Sequence, residues 1–208
     1  MQPRFGDRAR DYLKDTAAIL ERVPVDSLDR IFGIIRDAYL KDRQVVIMGN
    51  GGSAALASHF AVDLGKGTVA PGLRRFRVTS IVDNTPVMTA YANDFSYADV
   101  FSEQIRTLVR RDDLVLGIST SGTSPNVIKG LEAAREAGAV TVAMTGFKGG
   151  KAIDIADVTL VIPSDDVQHI EDCHHLLCHL YMQAMRDFVL QAAVPQGSSA
   201  ASTSAGGP

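Results

Sequence analysis

The sequence has no tryptophan, two cysteines and few aromatic residues, 6% in all. Two cysteines cannot build a disulfide framework. Cys173 and Cys178 stand five apart in one helical pattern, which turns them away from each other on a helix. They fit reduced thiols in a cytoplasmic protein. Charge of neither sign dominates: Lys and Arg number 21 against 24 Asp and Glu, a formal net charge of −3, which argues against a general nucleic-acid binder. No apolar run approaches the roughly 20 residues that span a bilayer, so no membrane helix is expected. The opening MQPRFGDRARDYLKD lacks the apolar core of a signal peptide. Also missing are the Gly-Lys-Ser/Thr of a Walker A loop and the third glycine of a GxGxxG fingerprint. Their absence disfavours nucleoside triphosphates and dinucleotides as ligands.

What is present is an ordinary globular composition, 46% hydrophobic and 22% charged over 208 residues, enough for one domain with a full core. Apolar residues at helical spacing (Leu13, Ala17, Leu20, then Leu28, Ile31, Ile35) predict helices over 7–22 and 27–41, separated by Pro24, with Asp26 or Ser27 capping the second. Val- and Ile-rich runs near 44–48, 76–82, 114–118, 140–145 and 158–162 predict strands buried on both faces. Helical patterns near 53–65, 98–110, 124–137 and 168–192 alternate with them. Strand-then-helix alternation predicts an α/β fold, a parallel sheet with helices on both sides. The chain divides into N-terminal helices over 1–43, an α/β domain over 44–192 and a small, polar tail over 193–208, too poor in apolar surface to order itself. The apolar stripe of the N-terminal helices is expected to build an oligomer interface.

Two serine-rich turns, each after a strand run and before a helical pattern, carry the strongest functional signal. They are Gly49-Asn50-Gly51-Gly52-Ser53 and Ser119-Thr120-Ser121-Gly122-Thr123-Ser124. Free backbone N–H groups and hydroxyls at a helix N-terminus suit an anion. Two such turns predict a small phosphorylated ligand held from two sides at the carboxyl ends of the strands. Ser53 and Ser124 are the expected caps, with Pro125 at the first helical position of the second helix. Lys66 and Arg74 are expected at the surface.

In these residues the chain resembles a sugar isomerase (SIS) domain, and within that group the phosphoheptose isomerases. The resemblance runs from about residue 10 to 190. It rests on GNGGS at 49–53, His59-Phe60-Ala61, Ala92-Asn93-Asp94-Phe95, Val100-Phe101-Ser102-Glu103-Gln104, STSGTSPNV at 119–127, Met144-Thr145-Gly146 and IEDCHHLLCHL at 170–180. It implies a flavodoxin-like three-layer fold with a five-stranded parallel sheet. It implies a homotetramer with active sites between subunits, and in several members a zinc ion. The implied reaction converts sedoheptulose 7-phosphate to D-glycero-D-manno-heptose 7-phosphate. Carried over by position, Asn50, Gly51, Gly52, Ser53, Asn93, Asp94, Ser119, Thr120, Ser121, Ser124 and Glu171 would touch substrate. His59 matches a metal ligand, and His179 a catalytic and metal-binding histidine.

Two positions depart from the family pattern: Asp63 stands where Glu is usual, and Glu171-Asp172 where Gln-Glu is usual. Both keep the site able to bind a divalent cation, and both bear on which sugar fits. Moving a proton between C1 and C2 through an enediol(ate) needs a base over the carbon and a group that relays protons between the oxygens. Asp63 and His179 are the base and acid candidates. His59 and Asp63 are i and i+4, on one helix face, where His with carboxylate suits zinc. Glu171 and His179 complete the expected metal set of His59, Asp63, Glu171 and His179. Yet eight residues of unbroken helix put those two about 12 Å apart. Either Glu171 precedes the helix, which can start anywhere from 166 to 172, or the two serve different subunits. His174 is expected to pack at an interface; His175 has no assigned role. Two other functions compete: the same chemistry on another C6–C8 sugar phosphate, and a non-catalytic sugar-phosphate-binding SIS regulator or assembly factor.

Overall fold

The computed structural model describes residues 4–193. Five strands form one parallel sheet: β1 (Gln44–Gly49), β2 (Arg77–Ser80), β3 (Leu114–Ile118), β4 (Val140–Thr145) and β5 (Val158–Val161), in the order β2-β1-β3-β4-β5. The helices are α1 (Phe5–Leu20), α2 (Val25–Leu40), α3 (Gly52–Gly67), α4 (Thr85–Asp94), α5 (Ser102–Leu108), α6 (Pro125–Glu136), α7 (Ala152–Ile155) and α8 (Val167–Ala193). The strand order is that of a flavodoxin-like sheet, and the three-layer α/β fold expected from the alternation is the one observed.

Side-chain alternation along the buried strands builds a core on each face. Val45 and Ile47 of β1 join α1, α2, α3 and α8 through residues such as Ile31, Ile35, Phe60 and Leu177. Val46 and Met48 join Phe101, Ile105, Val127 and Leu131 of the other layer. The stripe of α2 folds back on the core of its own chain. Ile31 and Ile35 are fully buried, each worth about 1.5–3 kcal/mol of transfer free energy. Phe5, Leu13, Val25 and Leu40 are the large apolar side chains these two helices leave exposed.

Local structure departs from the sequence reading at several points. The second helix starts at Val25 with Pro24 as its cap, because the Pro24 carbonyl already accepts from Ser27 and Leu28, so neither Asp26 nor Ser27 caps it. The single helix expected over 98–110 is a 3-10 turn at Tyr97–Asp99 followed by α5, with Val100 and Phe101 buried at the junction. The segment after β2 holds a helix, α4, that the pattern did not predict, and α7 was likewise unforeseen. The edge strand β2, which pairs only with β1, is shorter than 76–82. Helix α8 begins at Val167 and is unbroken; Asp166 Oδ1 accepts from the N–H groups of Gln168 (2.9 Å) and His169 (3.1 Å) and fixes the start. Beyond Ala193, the polar tail of the sequence reading lies outside the described residues. No helix among them is long and apolar enough to cross a membrane.

Candidate functional site

The sheet order places β1 beside β3, so both serine-rich turns leave the same edge next to each other. This is the switch point where open parallel sheets bind ligands. A reciprocal amide pair ties the turns together: Asn50 Nδ2 donates to Asn126 Oδ1, and Asn126 Nδ2 donates to Asn50 Oδ1, both at 2.8 Å. Asn126 is buried, and its Oδ1 also accepts from the Val127 N–H at 3.0 Å. Tyr97 donates to Asn50 Oδ1 at 3.0 Å.

In the first turn the cap position belongs to Gly51, at φ 55°, a conformation that disfavours any side chain. Ser53 therefore lies inside α3 and is buried rather than capping it. In the second turn Ser124 does hold the cap position, but its hydroxyl pairs with Ser119 Oγ at 3.1 Å instead of bonding a helix N–H. Ser121 Oγ accepts from the Thr123 N–H and hydroxyl at 3.2 and 3.0 Å, a turn closed on itself. Gly122, at φ 64°, packs against the Gly149 carbonyl, where a Cβ would collide. Among the described residues the N–H groups of Thr120, Ser121, Ser124 and Asn126 have no protein acceptor. These unsatisfied donors and hydroxyls at the N-terminus of α6 are what an anion needs.

Helices α3 and α8 lie side by side and run in the same direction. Gly52 faces Glu171, His59 faces His179, and Gly67 faces Met182. Between them His59 Nε2 and His179 Nε2 stand 2.8 Å apart, and Asp63 Oδ2 lies 3.4 Å from the first and 3.8 Å from the second. The three donor atoms fall within 4.8 Å of one another. His59 and Asp63 thus meet from one face of α3, as their spacing predicts, and His179 meets them from α8.

Glu171 does not join this group. Because α8 starts at Val167, Glu171 is already helical and eight residues, about 12 Å, from His179. Its carboxylate instead lies beside Gly52, where a Cβ would come within 2.9 Å of both oxygens. There it lines a hollow of about 40 Å³ with Ser53, Leu56, His174 and His175. The expected four-residue metal set is therefore not assembled within one chain. Asp172 points the other way, accepting from Tyr12 of α1 at 2.6 Å, and that bond pushes the Tyr12 hydroxyl up to about 12. His174 is buried within its own chain rather than set out for an interface, its Nε2 3.1 Å from the Thr145 carbonyl. Burial also pushes the Cys173 thiol up to about 11 and that of Cys178 higher still, and both cysteines are free.

Asn93 and Asp94 end α4 rather than lying in a loop, and Asn93 Nδ2 donates to Asp94 Oδ1 at 2.9 Å. Tyr97, three residues on from Asp94, carries this segment to Asn50. Neither Tyr97 nor the pairing role of Asn126 was singled out from the sequence, since both depend on which strands become neighbours. A hollow of about 780 Å³ lies under α2 and away from both turns. Its charges are largely spent on each other (Lys41 with Asp37 at 2.9 Å, Arg43 with Asp112 at 3.0 Å), so it is not the site of chemistry.

Two imidazoles and a carboxylate are the donor set of a divalent cation of the zinc class. Asp63 Oδ2 is buried without a hydrogen-bond partner, since neither histidine contact has hydrogen-bond geometry. A cation between the three donors would satisfy it. Metal–ligand bonds of 2.0–2.1 Å give tetrahedral edges of about 3.3 Å, so the carboxylate distances already fit and the two histidines must part slightly.

A family model described as the SIS domain matches residues 11–146, a stretch that ends before α8. A phosphoheptose isomerase of Aquifex aeolicus is 37% identical over 161 residues, 77% of this chain and 84% of that protein. One of Aliarcobacter butzleri is 36% identical over 170 residues, 82% of this chain and 89% of that protein. The structure of phosphoheptose isomerase GmhA from Neisseria gonorrhoeae matches with a TM-score of 0.81 at 29% identity, covering 88% of this chain and all of that one. Matched turns, sheet order and relatives at this identity lead to one conclusion: the chain belongs to the phosphoheptose isomerase family of SIS-domain proteins.

Proposed function

We propose that this chain is an aldose–ketose isomerase that converts sedoheptulose 7-phosphate to D-glycero-D-manno-heptose 7-phosphate. One observation carries the reading: the anion-binding turn that opens α6 is tied through the Asn50–Asn126 pair to the turn that opens α3, the helix that carries His59 and Asp63. His59 lies seven residues, about 10 Å of helix, beyond Gly52. In this reading the phosphate sits at the turns and the chemistry lies further along α3, at the other end of the sugar. The relatives named phosphoheptose isomerase support the same reaction.

In this reading Ser119, Thr120, Ser121 and Ser124, with the free N–H groups of the second turn, bind the phosphate. Asn50, Gly51, Gly52, Ser53 and Glu171 line the path of the sugar, with Asn93 and Asp94 closing it from the end of α4. Asp63 takes a proton from C1 of the ketose and returns it to C2, while His179 relays a proton from the C1 hydroxyl to the C2 oxygen, so that C1 becomes the carbonyl. His59, Asp63 and His179 would hold the divalent ion, most simply zinc. Such an ion supplies Lewis-acid polarisation of the carbonyl. The chain works as a homotetramer, as the family resemblance implies, and in the cytoplasm, which its two free cysteines fit.

The test is direct. Purified protein is mixed with sedoheptulose 7-phosphate, and aldose formation is followed with added zinc and with chelator. Turnover that chelator suppresses and zinc restores is expected. Absence of turnover with every C6–C8 ketose phosphate overturns the enzyme reading, and tight binding without turnover would identify a sugar-phosphate-binding module instead.

A further inference from the structure

The hollow under α2 lies at the amino ends of the strands, where Leu114, Val140 and Val158 open β3, β4 and β5. This is the edge of the sheet opposite to both serine-rich turns. With Ile34 and Ala38 of α2 these side chains give the hollow an apolar floor. Its volume of about 780 Å³ is that of a pocket for a small organic molecule. Three carboxylates line it, and each is engaged. Asp37 accepts from Lys41 at 2.9 Å, Asp112 from Arg43 at 3.0 Å, and Asp157 from the Thr141 N–H and hydroxyl at 2.8 and 2.9 Å. Arg30 and Arg36 also line the hollow, and neither has a carboxylate within hydrogen-bond distance. Arg30 reaches the Asp157 carbonyl at 3.4 Å, and Arg36 stands 3.7 Å from Asp37. The Nε atoms of Arg36 and Arg43 are buried with no acceptor among the described residues. A buried donor without an acceptor calls for a missing group. Two uncommitted guanidiniums match a phosphate monoester, which is close to a dianion at neutral pH, whereas a carboxylate would leave one of them over.

Gly33 is an independent observation. It sits in the middle of α2 on the wall of the hollow, and a Cβ built on it meets nothing within 4 Å outside its own helix. Packing does not require glycine there, although glycine inside a helix destabilises it relative to alanine. Its missing side chain keeps the hollow open beside Arg30 and Arg36. We propose that this hollow is a second ligand site, for a phosphate monoester with a flat, apolar body, of which a nucleoside monophosphate is the common cellular kind. Arg30 and Arg36 hold the phosphate, and the body lies on Ile34, Ala38 and the strand starts. A ligand at this edge leaves the turns free, so it does not compete with a sugar phosphate bound there. The site does not depend on the isomerase reading.

Calorimetric titration of the full-length protein with adenosine 5′-monophosphate tests this, with ribose 5-phosphate and inorganic phosphate as ligands that lack the flat body. One nucleotide per chain is expected, bound at least about tenfold more tightly than ribose 5-phosphate. Arg30→Gln and Arg36→Gln should each weaken it by about tenfold or more. Gly33→Leu should abolish binding by filling the hollow, while the melting temperature holds or rises because leucine favours a helix. Should Gly33→Leu melt lower instead, the two arginine variants decide. Ser124→Ala, at the other edge of the sheet, should leave the nucleotide affinity as it was. If the wild type binds no nucleotide at millimolar concentration, the site falls. Binding that survives Gly33→Leu and is lost in Ser124→Ala puts the nucleotide in the sugar-phosphate site and overturns the assignment. Inorganic phosphate that binds as tightly as the nucleotide reduces the hollow to an unselective patch of positive charge and overturns it too.

Discussion

His174 and His175 are neighbours in sequence with opposite fates, because a helix turns consecutive side chains about 100° apart. His175 faces out between α3 and α8, while His174 is buried beneath Thr145. Its Nε2 carries the hydrogen and donates to the Thr145 carbonyl, leaving Nδ1 buried with no partner. A charged ring there would have a second buried donor with nothing to bond. Burial, reinforced by the nearby His175, pushes the imidazole down from 6.5 to about 4. The unfolded chain binds this proton below pH 6.5 and the folded chain only near 4, so stability is complete above 6.5 and falls as the pH drops between those values. The loss at the acid end is roughly 3 kcal/mol. Urea unfolding of the wild type and of His174→Gln, measured across that range, should show a pH slope for the wild type that the glutamine variant lacks. Parallel slopes would mean that His174 is protonated in the folded state.

At the scale of elements, the site depends on two turns being locked to each other, and the lock is Asn50 with Asn126. Asn50→Ala leaves the buried Asn126 amide without its partner, a cost of about 1–3 kcal/mol. It also loosens the two anion-binding turns relative to each other. Lower stability in urea and a raised KM for the sugar phosphate are the expected pair of effects. A variant of unchanged stability would show that the amide pair contributes nothing net. None of this was legible in the residues, since Asn50 and Asn126 are 76 positions apart and meet only because β1 and β3 are neighbours. What was legible follows from local physics. The five strands declare themselves as Val- and Ile-rich runs buried on both faces, and the turns as clusters of Gly, Ser and Thr at strand ends. Helix α4 escaped because its apolar face is short: Met88, Tyr91 and Ala92 pack only partly buried against the second core. Its signal was chemical: Asn84 Oδ1 accepts from the Val87 N–H at 3.2 Å, and Pro86 follows within the first turn. The start of α8 was open in the sequence because Asp165 and Asp166 can both cap. Only the structure shows that Asp166 does so, and this separates Glu171 from the His59-Asp63-His179 group of its own chain.

On the scale of the whole molecule, the buried stripe of α2 is spent inside its own chain, so an interface draws on the side chains that the helices leave exposed. The face that α3 and α8 present to solvent carries Val62, Leu176 and Leu180, each between 46% and 61% exposed. They flank Asp63, His175 and His179 in sequence, so a second copy seated there would cover the chemical groups as well as the apolar ones. Burying three such side chains per copy is worth several kcal/mol, at about 1.5–3 kcal/mol for each one fully covered. A homo-oligomer with its sites between subunits therefore has a physical reason to use this face. Light scattering of the wild type should give a mass that is a multiple of the 22.3 kDa chain. Leu180→Glu puts a charge at the centre of the proposed contact and should shift that mass toward the monomer. Activity should fall with it, because the sugar end of the site would open to water. A wild-type protein of monomeric mass would rule out the shared site. A Leu180→Glu protein that stays assembled and active would move the interface away from α8, back to the exposed Phe5 and Leu13 of α1.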